Sequence, residues 1–142
     1  MKALIDTCVV MDFLQQRKPF ADDAKALFRA AACEQFIGCI TAKSAIDIYY
    51  LTHRCTHSDK VARNKLNSLL SIISMLDTDA VDIFHALTSE TSDFEDAVMI
   101  ETASRSHVDC IITCNQKDYQ KSSATVFSSS EFLRQLKDEE TE

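Results

Sequence analysis

A chain of 142 residues that is 46% hydrophobic and 26% charged is sized for one domain with a genuine core. Its single glycine, Gly38, sits inside the apolar run at 36–40, which excludes the glycine-rich phosphate loops of nucleotide-binding α/β proteins. The formal charge of −7 argues against nucleic-acid binding by bulk electrostatics, and no apolar stretch approaches the ~20 residues of a membrane helix.

The first element is an apolar strand over 2–5, ended by Asp6, which also interrupts the run before it reaches signal-peptide length. A cytoplasmic protein is therefore expected. Pro19 suits the start of a helix reaching about Cys33. Residues 36–40 read as a second strand, and Thr41 can cap a helix carrying the apolar residues of 45–51. Ser58 can cap another, whose stripe is Val61, Leu66, Leu69, Leu70 and Ile73. A brief strand at 75–77 and a helix over 81–87 follow.

Ser92 and Glu95 have the spacing of a capping box before the apolar run 97–100. Residues 110–113 read as a buried strand, 126–127 as an edge strand, and Phe132, Leu133 and Leu136 as the face of a closing helix. Alternating strands and helices predict an α/β domain, a three-layer α/β/α sandwich around a mainly parallel sheet. It spans 1–137, with 138–142 as an acidic, frayed tail.

Six cysteines, at 8, 33, 39, 55, 110 and 114, form no Cys-x-x-Cys pair, and several lie in apolar runs. They read as reduced core thiols. His53, Cys55 and His57 merely alternate, which matches no structural zinc pattern.

The acids carry the chemistry. Asp6 ends an apolar strand, where open α/β sheets hold their sites. Asp47 is flanked by Ala45, Ile46, Ile48 and Tyr49, so it needs a partner; Lys43, four residues before it, is the weaker order for an ion pair. Asp93, Glu95 and Asp96 fall in a helix's first turn, where the macrodipole already favours acids. Asp93 and Asp96 share a face, and Asp96, next to the apolar run, is the better ligand candidate. Asn115 and Asp118 follow the buried strand at 110–113, as possible neutral and anionic oxygen ligands or as ordinary turn residues. Asp12 reads as structural and nearer the surface. Converging carboxylates repel unless a cation neutralises them, and hard oxygen donors suit Mg²⁺ or Mn²⁺.

Taken in order, 4–7, 44–48, 93–97 and 113–119 resemble the PIN-domain ribonucleases, of the VapC-like toxin type. The resemblance spans nearly the whole chain and implies a metal-dependent ribonuclease using Mg²⁺ or Mn²⁺. By position it makes Asp6, Asp47, Asp96 and Asp118 the catalytic acids, with Asn115 and Asp93 as further metal ligands. Asp47 stands where the family often has Glu, and Asn115 where many members have Asp. Thr7 would position a phosphate or ligand oxygen. Arg54, Lys60, Arg63 and Lys65, near one helix-helix junction, would hold RNA, unless they form an ordinary solvated face. Small PIN proteins resemble toxins of toxin–antitoxin pairs, which implies a homodimer and a cognate antitoxin.

Two alternatives stay open. One is an RNA- or protein-binding module that keeps the fold without catalysis. The other is phosphotransfer of the haloacid-dehalogenase or receiver kind. Cys8 stands where the former wants a second acid, and Asp47 sits in a helical pattern where receivers want a strand.

Overall fold

A computed structural model describes residues Met1–Glu142. Five parallel strands form its centre in the order β3-β2-β1-β4-β5: β1 (Lys2–Ile5), β2 (Ile37–Thr41), β3 (Ser74–Leu76), β4 (Cys110–Ile112) and β5 (Thr125–Phe127). Ala3 lies between Gly38 and Cys110, and Leu4 between Cys39 and Ile111. With every strand running the same way, the ends of β1, β2 and β4 meet at one edge.

The strand side chains alternate between two cores, as the pleat requires. Ala3, Ile5, Ile40, Cys110 and Ile112 enter the larger cluster with Val9, Leu27, Phe28 and Phe132. Leu4, Cys39 and Ile111 enter the smaller one with Met99, Ile100 and Tyr119. Helices α1 (Thr7–Leu14), α2 (Ala21–Ala32), α3 (Ala42–Thr56), α4 (Asp59–Leu70) and α7 (Ser129–Glu140) thus supply the first face. The second is covered by α6 (Phe94–Arg105), on which α5 (Ala80–Leu87) packs. The expected α/β sandwich is observed, with a fully parallel sheet.

Gly38 sits where the packing is tight. A Cβ there would meet Ile73 Cγ2 at 3.0 Å and Ile5 Cδ1 at 3.1 Å. The left-handed turns are made without glycine, at Gln16, Glu34, His57 and His107, with φ of 51°, 59°, 54° and 54°.

Several expectations shift. Pro19 lies before α2, which opens at Ala21. Residues 7–14, apolar nearly all round, fold as α1 directly after Asp6. The cap of α6 is Asp93, one residue later than the box at Ser92, and its carboxylate accepts the Asp96 N–H at 3.0 Å. Thr41, Ser58 and Ser128 cap α3, α4 and α7. The last helix runs through Glu140, so most of the acidic tail is an exposed helical turn. Asp12 is buried at 6% exposure, paired with Arg17 at 3.0 Å.

A second buried ion pair holds α5 on α6. Asp82, 1% exposed, receives Arg105 Nε at 2.8 Å, Arg105 Nη2 at 2.9 Å and the Thr102 hydroxyl at 3.0 Å. Burial pushes the Asp82 carboxyl up, but Arg105, the Asp79 N–H and Thr102 together hold it below the usual carboxylate range.

Candidate active site

At the shared strand edge, Asp6 follows β1 and acts as the N-cap of α1: its Oδ1 accepts the Thr7 N–H at 2.8 Å. The Oδ2 accepts the Thr113 hydroxyl at 2.8 Å and the Tyr119 hydroxyl at 3.0 Å. The Cys8 thiol adds a weak contact at 3.7 Å. Thr113 is fully buried and its Oγ1 also accepts the Asn115 N–H at 3.0 Å, so its proton is directed at Asp6. The carboxylate is thus held by three neighbouring segments.

Asp96 approaches from the first turn of α6. Its Oδ1 lies 3.3 Å from the Tyr119 hydroxyl, which one proton therefore shares between two carboxylates. Burial, with the charges of Asp93, Asp6 and Asp118, pushes the Asp96 carboxyl up to about 6. Burial and the same pair, Asp6 and Asp96, push the Tyr119 phenol up, so it stays neutral and donates. A short 3₁₀ turn, Gln116–Tyr119, places that side chain, 1% exposed, between the acids.

These groups open onto a cavity of about 320 Å³ whose lining includes Asp6, Thr7, Lys43, Asp47, Arg54, Glu95 and Asp96. Thr41 and Ser44 form part of it, each reaching Met99 Sδ, at 3.8 Å and 3.7 Å. Lys43 bridges Asp47 and Glu95, the latter at 3.0 Å. Burial lowers the Lys43 ammonium, but its hydrogen bonds to Asp47 and Glu95 outweigh this and raise it, so it stays charged.

Of the residues singled out from sequence, Asp6, Thr7, Asp47, Arg54 and Asp96 line the cavity. Asp47 is turned to Lys43, the i,i+4 partner that spacing alone had made second choice. Asp93 is an exposed cap that acts on Asp96 by charge. Asn115 and Asp118 are exposed outside the lining, and Asp118 reaches Asp96 only through its field. Lys60, Arg63 and Lys65 lie on α4 and do not line the cavity. Arg63 is bound to Asp59 at 2.9 Å, and Lys65 borders a separate groove with Phe13 and Val61. Sequence reasoning missed Tyr119, Lys43 and Glu95 as members of the site. For Tyr119 the sequence offered only its place at the end of the 113–119 segment, with no periodic signal.

Cys8 and Cys114 lie on the far side of Asp6. The Cys114 N–H donates to Cys8 Sγ at 3.2 Å. A side-chain hydrogen bond from Cys114 draws the Cys8 thiol down, against burial and the Asp6 charge. Cys114 is pushed up by Cys8, burial and Asp12.

The donors offered to a cation are carboxylate oxygens. No three His, Cys, Asp or Glu side chains stand close enough to hold one ion together. Mg²⁺ commonly takes one or two carboxylates and keeps several waters. Asp6 and Asp96, joined through one phenol and with Asp96 raised by burial and its neighbours' charge, fit that requirement.

The family model for the PIN domain matches residues 2–117. The chain belongs to the PIN domain family. No curated protein matches it in sequence. Among solved structures, VapBC2 from Rickettsia felis, bound to a DNA fragment from its promoter, is 14% identical with a TM-score of 0.64, covering 90% of this chain and 98% of that one. A toxin–antitoxin complex from Klebsiella pneumoniae is 20% identical with a TM-score of 0.65, covering 89% and 97%. VapC20 from Mycobacterium tuberculosis, a toxin that cleaves the sarcin-ricin loop, is 13% identical with a TM-score of 0.60, covering 77% and 86%. At these identities the likeness is one of fold, and this PIN domain shares it over most of its length.

Proposed function

We propose that this PIN domain is a Mg²⁺- or Mn²⁺-dependent endoribonuclease and the toxin of a toxin–antitoxin pair. The observation that carries the reading is the Asp6–Tyr119–Asp96 bridge: two carboxylates crowded at one strand edge, one of them raised to about 6 by burial and by its acidic neighbours. Asp6 and Asp96 would hold a divalent ion, which supplies activation of water and neutralisation of phosphate charge when bound.

The chain's own groups prepare that site. Thr113 and the Thr7 N–H fix both oxygens of Asp6, leaving the carboxylate one orientation. Tyr119 keeps its proton and spaces Asp6 from Asp96. Arg54, in the cavity lining, is the cation available to an RNA phosphate there, Lys43 being held by Asp47 and Glu95. Asp118 adds negative field without contact, Asp93 adds it while capping the Asp96 N–H, and Asn115 shortens the acid set by one charge.

The same reading takes in partners. The α5 side chains Phe84 and Leu87 are 68% and 64% exposed, an apolar face suited to a second copy of the chain. The antitoxin-bound neighbours support a cognate antitoxin that blocks the acidic cleft. A second reading, an RNA- or protein-binding module on the same fold, is favoured by the Lys43–Asp47 pair, which removes Asp47 from the acid set.

The deciding experiment incubates the purified chain with mixed RNA, with Mg²⁺, Mn²⁺ or chelator, beside Asp6→Asn. Metal-dependent cleavage abolished in the variant supports the nuclease. RNA binding with no cleavage under any metal supports the binding module.

A further inference from the structure

We infer that Cys8 and Cys114 form an oxidation site, a thiol pair that closes to a disulfide and withdraws the contacts holding Asp6. The two residues come together because β1 and β4 are hydrogen-bonded neighbours. Ile5 lies opposite Ile112, and the Asp6 N–H donates to the Ile112 carbonyl at 2.9 Å, so both chains leave the sheet side by side. Cys8 is in the first turn of α1 and Cys114 immediately follows Thr113. The Cys114 N–H reaches Cys8 Sγ at 3.2 Å.

Their exposures divide the work. Cys114 is exposed, with its Sγ 3.3 Å from Asp12 Oδ2, while Cys8 is half-buried beside Asp6. Cys39 and Cys110 are buried in strands, Cys55 is exposed but engaged by Gln15 at 2.8 Å, and Cys33 is exposed at the end of α2. An incoming low-molecular-weight disulfide such as oxidised glutathione that meets Cys114 finds Cys8 directly behind it.

The exchange balances in two steps. The Cys114 sulfur attacks one glutathione sulfur as its S–H proton passes through Asp12 Oδ2, 3.3 Å away, to the released glutathione thiolate, and a mixed disulfide forms at Cys114. The Cys8 sulfur then attacks Cys114 Sγ, the Cys8 proton passing to the second glutathione released. The pair loses two electrons and two protons, and the glutathione disulfide gains them.

Closure changes the site because a disulfide draws its sulfurs to ~2.05 Å, far inside the contact distance of two unbonded sulfurs. The Cys8 sulfur loses the proton it directs at Asp6 Oδ2, and Cys114 leaves Asp12. The turn at Cys114 is pulled towards α1, carrying the adjacent Thr113, whose hydroxyl is the shortest contact of Asp6 Oδ2. The loss of cleavage that follows rests on the ribonuclease reading; disulfide formation and the displacement at Asp6 do not.

The test treats the full chain with oxidised glutathione, blocks free thiols, and maps linked peptides by mass spectrometry, beside Cys8→Ser and Cys114→Ser. The expected result is a Cys8–Cys114 link reversed by dithiothreitol, with Cys8→Ser stopping at a glutathione adduct on Cys114. In ¹³C-aspartate-labelled protein the Asp6 carboxyl resonance, assigned with Asp6→Asn, moves on oxidation. RNA cleavage falls roughly tenfold or more and returns on reduction, while Cys114→Ser is unresponsive. A glutathione adduct that persists on Cys114 of the unsubstituted chain overturns the inference, and so does a linked form whose Asp6 resonance is unmoved or whose cleavage rate is unchanged. If the reduced chain cleaves no RNA, the ribonuclease reading fails alone, and the link and the resonance still decide the site.

Discussion

Thr113 donates its hydroxyl proton to Asp6 across 2.8 Å and so ties the end of β4 to the end of β1. Thr113→Val keeps the shape of the side chain and removes that donor. Thermal or urea unfolding should show a loss of about 1 kcal/mol. RNA cleavage should fall roughly tenfold or more as Asp6 loses its fixed orientation. An unchanged cleavage rate would show that Tyr119 and the Thr7 N–H hold the carboxylate without help.

Tyr119→Phe keeps the buried ring and deletes the bridging hydroxyl. Since that hydroxyl donates to Asp96 and lowers its carboxyl, the Asp96 titration should move above about 6. A ¹³C titration of the aspartate carboxyls reads this directly. A downward move would contradict the bridge.

Asp96→Asn separates stability from chemistry. A carboxyl raised to about 6 in the folded chain binds a proton that the unfolded chain, at roughly 3.9, has released. Between these values the folded state therefore gains stability as pH falls, and above about 6 Asp96 is a net cost. With solvent screening of a half-exposed group, the metal-free Asn variant should be more stable at pH 7.5 by about 1 kcal/mol. It should also cleave no RNA. A variant less stable than the parent at that pH would refute the charge crowding.

Asp82 gives the opposite sign. Its folded carboxyl lies below the usual value, so its contribution is complete at neutral pH and is lost as pH falls through the folded titration. Arg105→Ala leaves Asp82 charged, 1% exposed and unpaired, at a cost of about 3 kcal/mol. Unfolding curves at pH 7 and in acid should show the penalty shrinking as Asp82 takes up a proton.

The cations of the cavity should matter to RNA more than those of α4. Arg54→Ala should weaken RNA binding severalfold in a titration at low salt, while the Lys60→Ala, Lys65→Ala pair leaves it nearly unchanged. The reverse ranking would move the RNA path to the α1–α4 groove.

Strands buried on both faces, such as Leu4–Ile5 and Ile111–Ile112, stand out in sequence because nothing else packs so many apolar residues so briefly. Asp6 was legible for the same reason, as the first acid after such a run. The α1 segment was not, because residues apolar on nearly every side lose the helical period. Ser92 and Asp93 each have an acid three residues on, so pattern alone could not choose the cap of α6; the fold chose Asp93. Asp47 was recognised as needing a partner, but order preference hid Lys43, which Glu95 from α6 holds in place. The face a helix presents is set by packing, so the basic residues of α4 could be counted but not aimed. Tyr119 enters the site only because a 3₁₀ turn swings it inward, and turns of that kind leave little periodic trace.

The four left-handed residues, Gln16, Glu34, His57 and His107, have a consequence for the chain as a material. A side chain in that conformation costs roughly 1 kcal/mol or more, partly offset by the extra freedom glycine has when unfolded. All four are exposed and none lines the acidic cavity. The molecule therefore carries a reserve of tension at its surface joints, which glycine could relax without disturbing a single atom of the acid cluster.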